Sequence, residues 1–501
     1  MNKLFKRVAG ANPGRSLFNL SYEKKLSCDM GQLIPILCDE VVPGDIFEIG
    51  NQIILRFQPL VAPVLHAIDV TVHYFFVPYR LLWTSWEDFI TGGPQGNLTP
   101  TLPRWTPTAP QYAIGQLWDY LGFPTGAVPT GCLPMDFPRR AYYFIYNEYY
   151  RDETLQTKID WLTDTSVGTV CNRNWEKDYF TSALTWQQRG TSPAFPIVGT
   201  TSAVWTAGSF TQALETYGIQ FNGTAGDPIA HLNNANAVTN ATNFMNANTV
   251  NLGTASPLDI SQMRLGFQVQ KWLERNARAG VRYTEFLGAH FGVSPTDERL
   301  DRPEYIGGCK SPVIISEVLQ QSETGTTPQG NMSGHGISVQ SQYICKYRAQ
   351  EFGLIMGLMS VMPKPAYQQG LNRQWLRTTK YDFYFPEFAH LSEQAIQRVE
   401  LYATVTEADN KTVFGYCGAY DEMRVKQNMV VGQFRDTYDY WHISRQFSSA
   451  PLLNSSFIEC VPRKDILAAP SQPACLVQFG NIIKALRPLP IIAEPGFIDH
   501  G

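Results

Sequence analysis

Hydrophobic and polar residues alternate with a period of two in several segments near both ends of the chain. The clearest segment is 68–74 (IDVTVHY), which runs toward Pro78. Because successive side chains of a strand point to opposite faces, the alternation predicts a β-strand with one face on a core and the other face uncovered. Similar patterns predict further strands at residues 33–37, 47–49, 381–385, 399–405 and 476–486.

Three segments carry helical signals instead. Residues 81–90 precede a Gly-Gly-Pro sequence, residues 141–150 are dense in tyrosine, and residues 261–279 place apolar side chains on one stripe before Gly280. Residues 94–135 are rich in Pro, Thr and Gly, which predicts long loops. Strands at both ends with helices and loops between them predict an all-β sandwich with long insertions.

Residues 191–257 differ in composition from the rest of the chain. They contain no Lys or Arg and consist largely of Thr, Asn, Ala and Gly. Such a tract has little apolar surface to offset the entropy of ordering. We interpret it as a surface insertion, because strand patterns resume after it. A linker between two domains is the alternative.

The composition favours a protein with extensively covered surfaces. Charged residues are 17% of the chain, below the usual ~25% of globular proteins, while aromatic residues reach 13%. Interface cores are enriched in Tyr, Trp and Phe and depleted in charge. We therefore predict self-association, although a large β-rich core would give a similar composition.

Positive charge is concentrated at the N-terminus, although the whole chain has a net charge of −4. Residues 1–25 contain six Lys or Arg residues and one Glu. We predict a basic arm over residues 1–27, in which Lys3, Lys6, Arg7 and Arg15 contact nucleic-acid phosphates. A frayed, solvated terminus is the alternative.

Motifs for catalysis, metals or cofactors are missing from the sequence. The eight His residues show no HExxH motif, there is no GxSxG motif, and no Gly-Lys pair forms a phosphate-binding loop. The nine Cys residues are scattered without a CxxC pair, so reduced thiols are expected. No secretory signal or membrane-spanning run is expected either. A secreted carbohydrate-binding or glycoside-hydrolysing β-sandwich stays open, because paired carboxylates need no fixed spacing.

Several short segments, in order along nearly the whole chain, resemble the major capsid proteins of microviruses, in particular those of the gokushovirus-like branch. They are residues 15–18 (RSLF), 33–35 (LIP), 39–45 (DEVVPGD), 75–80 (FFVPYR), 302–308 (RPEYIGG), 365–370 (PAYQQG), 385–390 (FPEFAH), 440–442 (YWH), 452–454 (LLN) and 487–490 (RPLP). No single segment is specific, but so many in register are improbable by chance.

The resemblance implies an eight-stranded antiparallel jelly-roll domain over residues 28–501. It also implies a non-enzymatic subunit of a T=1 icosahedral shell around a single-stranded DNA genome, without catalytic residues, metal or cofactor. Further implied partners are internal scaffolding proteins, DNA pilot proteins and a receptor on the host surface. The protein is then expected in the virion, after assembly in the host cytoplasm.

Two sets of contact residues follow within this hypothesis. We predict that aromatic side chains of the helical and loop regions contribute to subunit interfaces, namely Trp83, Trp86, Trp105, Tyr142 and Tyr149. We also predict that the 191–257 insertion rises from the shell and contacts the host through a polar tip, namely Asn233, Asn234, Asn240 and Asn243.

Overall fold

The fold is taken from a computed structural model of the 501-residue chain. The structure describes residues 14–163, 166–193, 260–319, 332–388 and 391–492, together with four short strands between 210 and 232. The chain divides into two compact units, one formed by Met1–Gln187 with Ala279–Gly501 and the other by Gln188–Arg278.

Two antiparallel sheets form the centre of the first unit. Their strands are β1 Ser16–Asn19, β2 Tyr22–Cys28, β3 Ile34–Val41, β4 Ile46–Phe57, β5 Ile68–Pro78, β10 Glu304–Pro312, β11 Ile314–Leu319, β12 Met332–Arg348, β13 Gly353–Pro363 and β18 Cys475–Arg487. The six-stranded sheet has the order β1, β18, β4, β12, β11, and β2 also pairs with β18. The four-stranded sheet has the order β10, β5, β13, β3.

The chain crosses repeatedly between the sheets, so that β2, β3, β4 and β5 lie alternately in the larger and the smaller one. This antiparallel arrangement confirms the predicted all-β sandwich. The described residues give ten strands in the two sheets, and not eight. The difference arises at the edges: β1 and β2 follow one another along β18, and β11 adds an outer strand beside β12.

Apolar side chains from the inner faces of the two sheets form the main core. On β4 the buried side chains include Phe47, Ile49, Ile53 and Leu55, while the alternate positions near its end are exposed. This is the period-two pattern of a sheet with one covered face. The strand predicted at 47–49 therefore continues as β4 through Phe57.

The two central strands of the smaller sheet, β5 and β13, are covered on both faces. Every residue of β13 is buried, and β5 is buried at all positions except Asp69 and His73, which are half-buried. The prediction of an uncovered face for the 68–74 strand is therefore wrong. Its second face packs against a layer built from the segment after β5, and this layer forms a second apolar cluster with Phe75 and Val77.

Short helices build that covering layer. They are α1 Tyr79–Leu82, α2 Trp86–Thr91, α3 Leu117–Tyr120 and α4 Phe137–Ile145, the last continuing as a π-helical turn over Tyr146–Tyr150. The helix predicted at 81–90 is divided because Trp83 has an extended backbone (φ −153°, ψ 117°). The helix predicted at 141–150 starts earlier, at Phe137.

The segment between β13 and β18 holds little regular structure. Its strands form two small pairs, β14 Ala366–Tyr367 with β17 Asn428–Met429 and β15 Glu393–Gln397 with β16 Val413–Gly418. Its helices are Glu407–Lys411, Asp421–Arg424 and Ser455–Ile458. Single 3₁₀ turns occupy Arg373–Trp375, Lys380–Asp382, Pro386–Phe388, Arg398–Glu400, Gly432–Arg435 and Asp439–Trp441, in addition to Glu298–Leu300 before β10.

Two strands predicted in this segment are wrong. Residues 399–405 begin within a 3₁₀ turn in which the polar Glu400 is buried together with Val399 and Leu401. The alternation there therefore does not separate a buried face from an exposed one. Residues 381–385 also form no strand, and their aromatic side chains are exposed.

The predicted boundary of the N-terminal arm is also wrong. Residues 16–28 form β1 and β2, which pair with β18 along the edge of the six-stranded sheet. Lys24 and Lys25 therefore belong to a sheet rather than to an arm. Of the predicted arm, residues 1–13 lie outside the described residues.

The second unit contains the predicted insertion. It holds two hairpins, β6 Phe210–Gln212 with β7 Glu215–Tyr217 and β8 Ile219–Phe221 with β9 Ala230–Leu232. Nearly all of the helix Ile260–Ala279 follows in the same unit, which confirms the helix predicted at 261–279. A further helix, Tyr283–Phe291, belongs to the first unit. No described helix is long and apolar enough to span a membrane.

Candidate assembly surfaces

Two of the aromatic residues predicted at subunit interfaces lie inside the chain's own core. Trp105 is fully buried and packs edge-on against Trp118, with ring centroids 4.9 Å apart. Tyr142 is also fully buried, and its hydroxyl donates to the Leu33 carbonyl oxygen at 2.8 Å. Neither side chain retains surface for a neighbouring subunit. The prediction of direct interface contacts is therefore corrected for these two residues.

The other three predicted residues keep part of their surface. Trp83, which follows α1, and Trp86, the first residue of α2, are half-buried and lie close to the exposed side chain of Phe89. Tyr149 is half-buried too, and the Arg302 guanidinium lies 4.4 Å from its ring centroid. The structure thus leaves Trp83, Trp86 and Tyr149 as candidate contact residues.

A cluster of three buried charged side chains, Asp136, Arg139 and Arg140, holds the covering layer in place. The Asp136 carboxylate accepts hydrogen bonds from Arg139 Nε at 2.6 Å and from Arg140 Nε at 2.7 Å. All three side chains are buried, and Arg140 also donates to the Leu82 carbonyl oxygen at 2.8 Å. Because two cations share one carboxylate away from water, this cluster fixes the start of α4 relative to α1.

The predicted phosphate contacts are only partly within the described residues. Arg15 is exposed and directly precedes β1, whereas Lys3, Lys6 and Arg7 lie outside the described residues. The structure therefore places one of the four at the edge of the six-stranded sheet.

The outward face of the six-stranded sheet has an excess of positive charge, which the sequence patterns did not indicate. On β2, β4, β12 and β18 the strand register gives this face five Lys or Arg residues and two Glu residues. They are Lys25, Arg56, Lys346, Arg348 and Lys484, with Glu23 and Glu48. Lys346 and Glu48 form an ion pair at 3.0 Å. This face is thus positive on a chain whose net charge is negative.

A groove of about 670 Å³ opens beside this face, and Lys25, Arg56, Ile114 and Leu476 are among its lining residues. Lys24 also lines it and donates to the Pro35 carbonyl oxygen at 3.0 Å. Burial lowers the pKa of the Lys24 ammonium group to about 8. An anion in the groove would stabilise the charged form of this side chain.

A group of exposed apolar side chains in the segment between β13 and β18 was not predicted as such. Five aromatic side chains between 375 and 385 are each more than two fifths exposed, and apolar side chains of a neighbouring loop are exposed as well. We call this surface the aromatic patch and define it by Trp375, Tyr381, Phe383, Tyr384, Phe385, Leu391, Met423, Val425, Met429 and Val431. Pro386 was the sequence signal against a central strand at residues 381–385, because proline is excluded from central strands.

Three of the described histidines, far apart in the sequence, form structural hydrogen bonds through their rings. His442 Nε2 lies 2.6 Å from the Phe434 carbonyl oxygen, His66 Nε2 lies 2.7 Å from the Lys364 carbonyl oxygen, and His73 Nδ1 lies 2.8 Å from the Tyr150 hydroxyl. Within the part of the chain that the structure describes, no three His, Cys, Asp or Glu side chains are arranged to hold a metal ion.

Comparisons with known proteins match this chain to phage capsid proteins over almost its full length. The family model described as "Capsid protein (F protein)" matches residues 6–497. Capsid protein VP1 of Chlamydia phage 1 is 33% identical over 585 aligned positions, which cover 99% of this chain and 98% of that protein.

Two further capsid proteins VP1 align over similar lengths. That of Bdellovibrio phage phiMH2K is 30% identical, with 98% of this chain and 97% of the relative covered. That of Spiroplasma virus 4 is 28% identical, with the same coverage. The family consists of structural proteins, which decides against the glycoside-hydrolysing alternative. Since the family model and these relatives span both sheets and the segments between them, this chain belongs to the family of phage capsid F proteins.

Proposed function

We propose that this chain is the major subunit of a T=1 icosahedral shell that encloses a single-stranded DNA genome. The observation that carries the proposal is the end-to-end match to phage capsid proteins, together with a sandwich whose remaining surfaces are rich in exposed apolar side chains. Closed symmetry makes many modest contacts between copies cooperative.

The size of the assembled full-length protein tests this proposal. Light scattering and electron microscopy of purified protein should show closed particles whose mass is many times the 56.3 kDa of one chain. A stable monomer or small oligomer would reject a shell-forming function.

Contact with the genome is the second part of the proposal. We propose that Lys3, Lys6, Arg7 and Arg15 neutralise phosphates on the inside of the shell. The face of the six-stranded sheet that points away from the sandwich core supports this proposal, because it is positively charged. In addition, β1 begins at the edge of this sheet directly after Arg15. Single-stranded nucleic acid is bound without base specificity by positive grooves that follow the backbone.

Salt dependence distinguishes phosphate contacts from other effects of the arm. Replacing these four residues with Gln should weaken binding of a single-stranded DNA oligomer at low salt. It should also reduce the slope of log affinity against log salt by roughly 3, at ~0.7 per contact. A matched control replaces the exposed Lys411 and Lys426 with Gln. An unchanged slope in the arm variant would contradict the proposed contacts.

Host contact is assigned to the 191–257 insertion. Its separation into a compact unit of its own, Gln188–Arg278, supports a role outside the shell wall. The four predicted contact residues, Asn233, Asn234, Asn240 and Asn243, lie outside the described residues. Deleting residues 233–243 should spare particle formation and reduce adsorption to host cells at least tenfold. Loss of particles, or normal adsorption, would contradict this assignment.

Assembly in the host cytoplasm, with scaffolding and DNA pilot proteins as helpers, completes the proposal. All nine cysteines are free thiols in the structure, which suits a reducing compartment. Co-purification of such proteins with immature particles tests the partners, and particles formed by this chain alone would show that the partners are dispensable.

A further inference from the structure

The aromatic patch is exposed although its side chains are of the type that proteins normally bury. Trp375 is 72% exposed and Tyr381 is 65% exposed. Every residue from 378 to 387 is exposed, so this part of the chain lies on the surface along its whole length. A fully buried aromatic side chain covers ~150–250 Å². The five exposed rings therefore offer on the order of 500 Å², a large part of the ~800 Å² that each partner contributes to a standard interface.

Hydrogen bonds within the segment hold the patch in a defined shape. One oxygen of the Asp382 carboxylate accepts from the backbone N–H groups of Thr378 at 2.9 Å and Thr379 at 2.7 Å. These hydrogen bonds lower the pKa of Asp382 to about 2. A contact surface that is already ordered loses less conformational entropy on binding than a mobile loop does.

Buried ion pairs anchor the base of the patch. Arg373 Nη1 lies 2.8 Å from Oε1 of the buried Glu400, whose other oxygen accepts from the Tyr179 hydroxyl at 2.8 Å. Arg377 lies 3.6 Å from the buried Glu422 and 5.1 Å from the centroid of the Phe383 ring. Ion pairs and hydrogen bonds thus fix the segment that carries the exposed rings to the folded unit.

Ring contacts join the two loops of the patch. Tyr384 lies edge-on to Tyr420, with ring centroids 5.1 Å apart. Tyr381 and Leu391 border one cleft with Tyr420, and Lys426 Nζ lies 3.5 Å from Oε1 of Gln374. These contacts therefore join the segment 374–391 to the segment 420–426.

We infer that the aromatic patch is the main contact surface for a second copy of this chain in the shell. The inference rests on the proposed function and names the surface that serves it. Residues 371–391 contain three Lys or Arg and two Asp or Glu, so their charge neither repels an identical chain nor attracts a polyanion. Trp, Tyr, Phe and Met, which make up most of the patch, are among the residues enriched at interface cores.

Paired substitutions test the inference with full-length protein. Replacing Trp375 and Phe383 with Ser should leave a folded subunit, because both side chains are exposed, but reduce the assembled fraction at least tenfold. The matched control replaces Ile114 and Val405 with Ser, two apolar residues outside the patch that are at least as exposed. The control should assemble like the unaltered protein. Normal assembly of the patch variant, or equal loss in the control, would overturn the inference.

A second measurement requires no substitution. Hydroxyl-radical oxidation of Trp375, Tyr381 and Tyr384 should be lower in particles of this chain than in subunits released from them. Equal oxidation in both states, or protection found only when another virion protein is present, would overturn the inference. If the unaltered protein forms no closed particle, it is the proposed function that fails; if it does and the patch variant also assembles, only this inference fails.

Discussion

At the scale of single residues, the buried Asp136 is the most consequential charge. Arg139 and Arg140 both form ion pairs with its carboxylate. Replacing Asp136 with Asn should lower the free energy of unfolding by about 3–5 kcal/mol, because it removes the buried carboxylate that these two guanidinium groups share. Denaturant unfolding of the soluble subunit measures this change.

The exposed Asp160 supplies the control for that substitution. Replacing it with Asn should leave the free energy of unfolding nearly unchanged, because the side chain is in water and Asn can form the same turn. Equal effects of the two substitutions would show that the Asp136 cluster does not anchor the covering layer.

Asp382 makes the aromatic patch sensitive to acid. Hydrogen bonds lower the pKa of this carboxyl group from 3.8 to about 2. The carboxylate therefore stabilises the turn fully above pH 3.8, and this stabilisation is lost as the pH falls toward 2. Above pH 3.8, the Asp382→Asn variant should be cleaved faster by pepsin between 376 and 388 than the unaltered protein. The difference should disappear near pH 2. A difference that is constant with pH would contradict this role of the carboxylate.

Single residues were the scale at which the sequence was least informative. Trp105 and Tyr142 were predicted at interfaces from their type alone, yet both are buried, whereas Trp375 and Tyr381 are exposed. The amino-acid composition indicates that a chain has surplus aromatic surface. It does not indicate which rings face the core, because this depends on contacts between segments far apart in the sequence.

At the scale of elements, the strands β1 and β2 make part of the N-terminal segment a component of the six-stranded sheet. The residues of β2 pair with β18 from Tyr22 opposite Asn481 to Cys28 opposite Cys475. Deleting residues 1–13 should leave the thermal unfolding temperature of the subunit unchanged. Deleting residues 1–28 should lower its stability by about 2 kcal/mol or more, because Cys28 and Leu26 leave the core and β18 keeps only its pairing with β4.

Two results would contradict the different roles expected for residues 1–13 and for β1 and β2. If both truncated chains unfold like the full-length protein, β1 and β2 contribute nothing to the sandwich. If both are destabilised, residues 1–13 have a structural role in addition to the proposed phosphate contacts.

Strand prediction succeeded where both the local pattern and the covering of the sheet were simple. Residues 476–486 correspond to β18, whose alternating pattern matches a sheet with one covered face. The pattern at 68–74 gave the correct strand but the wrong exposure, since the layer of α1–α4 covers its second face. At 381–385 alternation occurred by chance in a turn that the Asp382 carboxylate holds.

At the scale of the whole molecule, the two sheets and their covering layer form a folded unit that leaves the aromatic patch uncovered. The sandwich was predictable because strand patterns occur at both ends of the chain. The family assignment rests on the full-length match and not on any local chemistry. The central claim is that this uncovered surface closes a shell by contacting copies of the same chain.

Electron cryomicroscopy of the assembled particle tests that claim most directly. The account predicts a closed icosahedral shell in which Trp375, Tyr381 and Phe383 are buried between adjacent copies of the chain. A particle in which these rings face solvent or a different protein would contradict it.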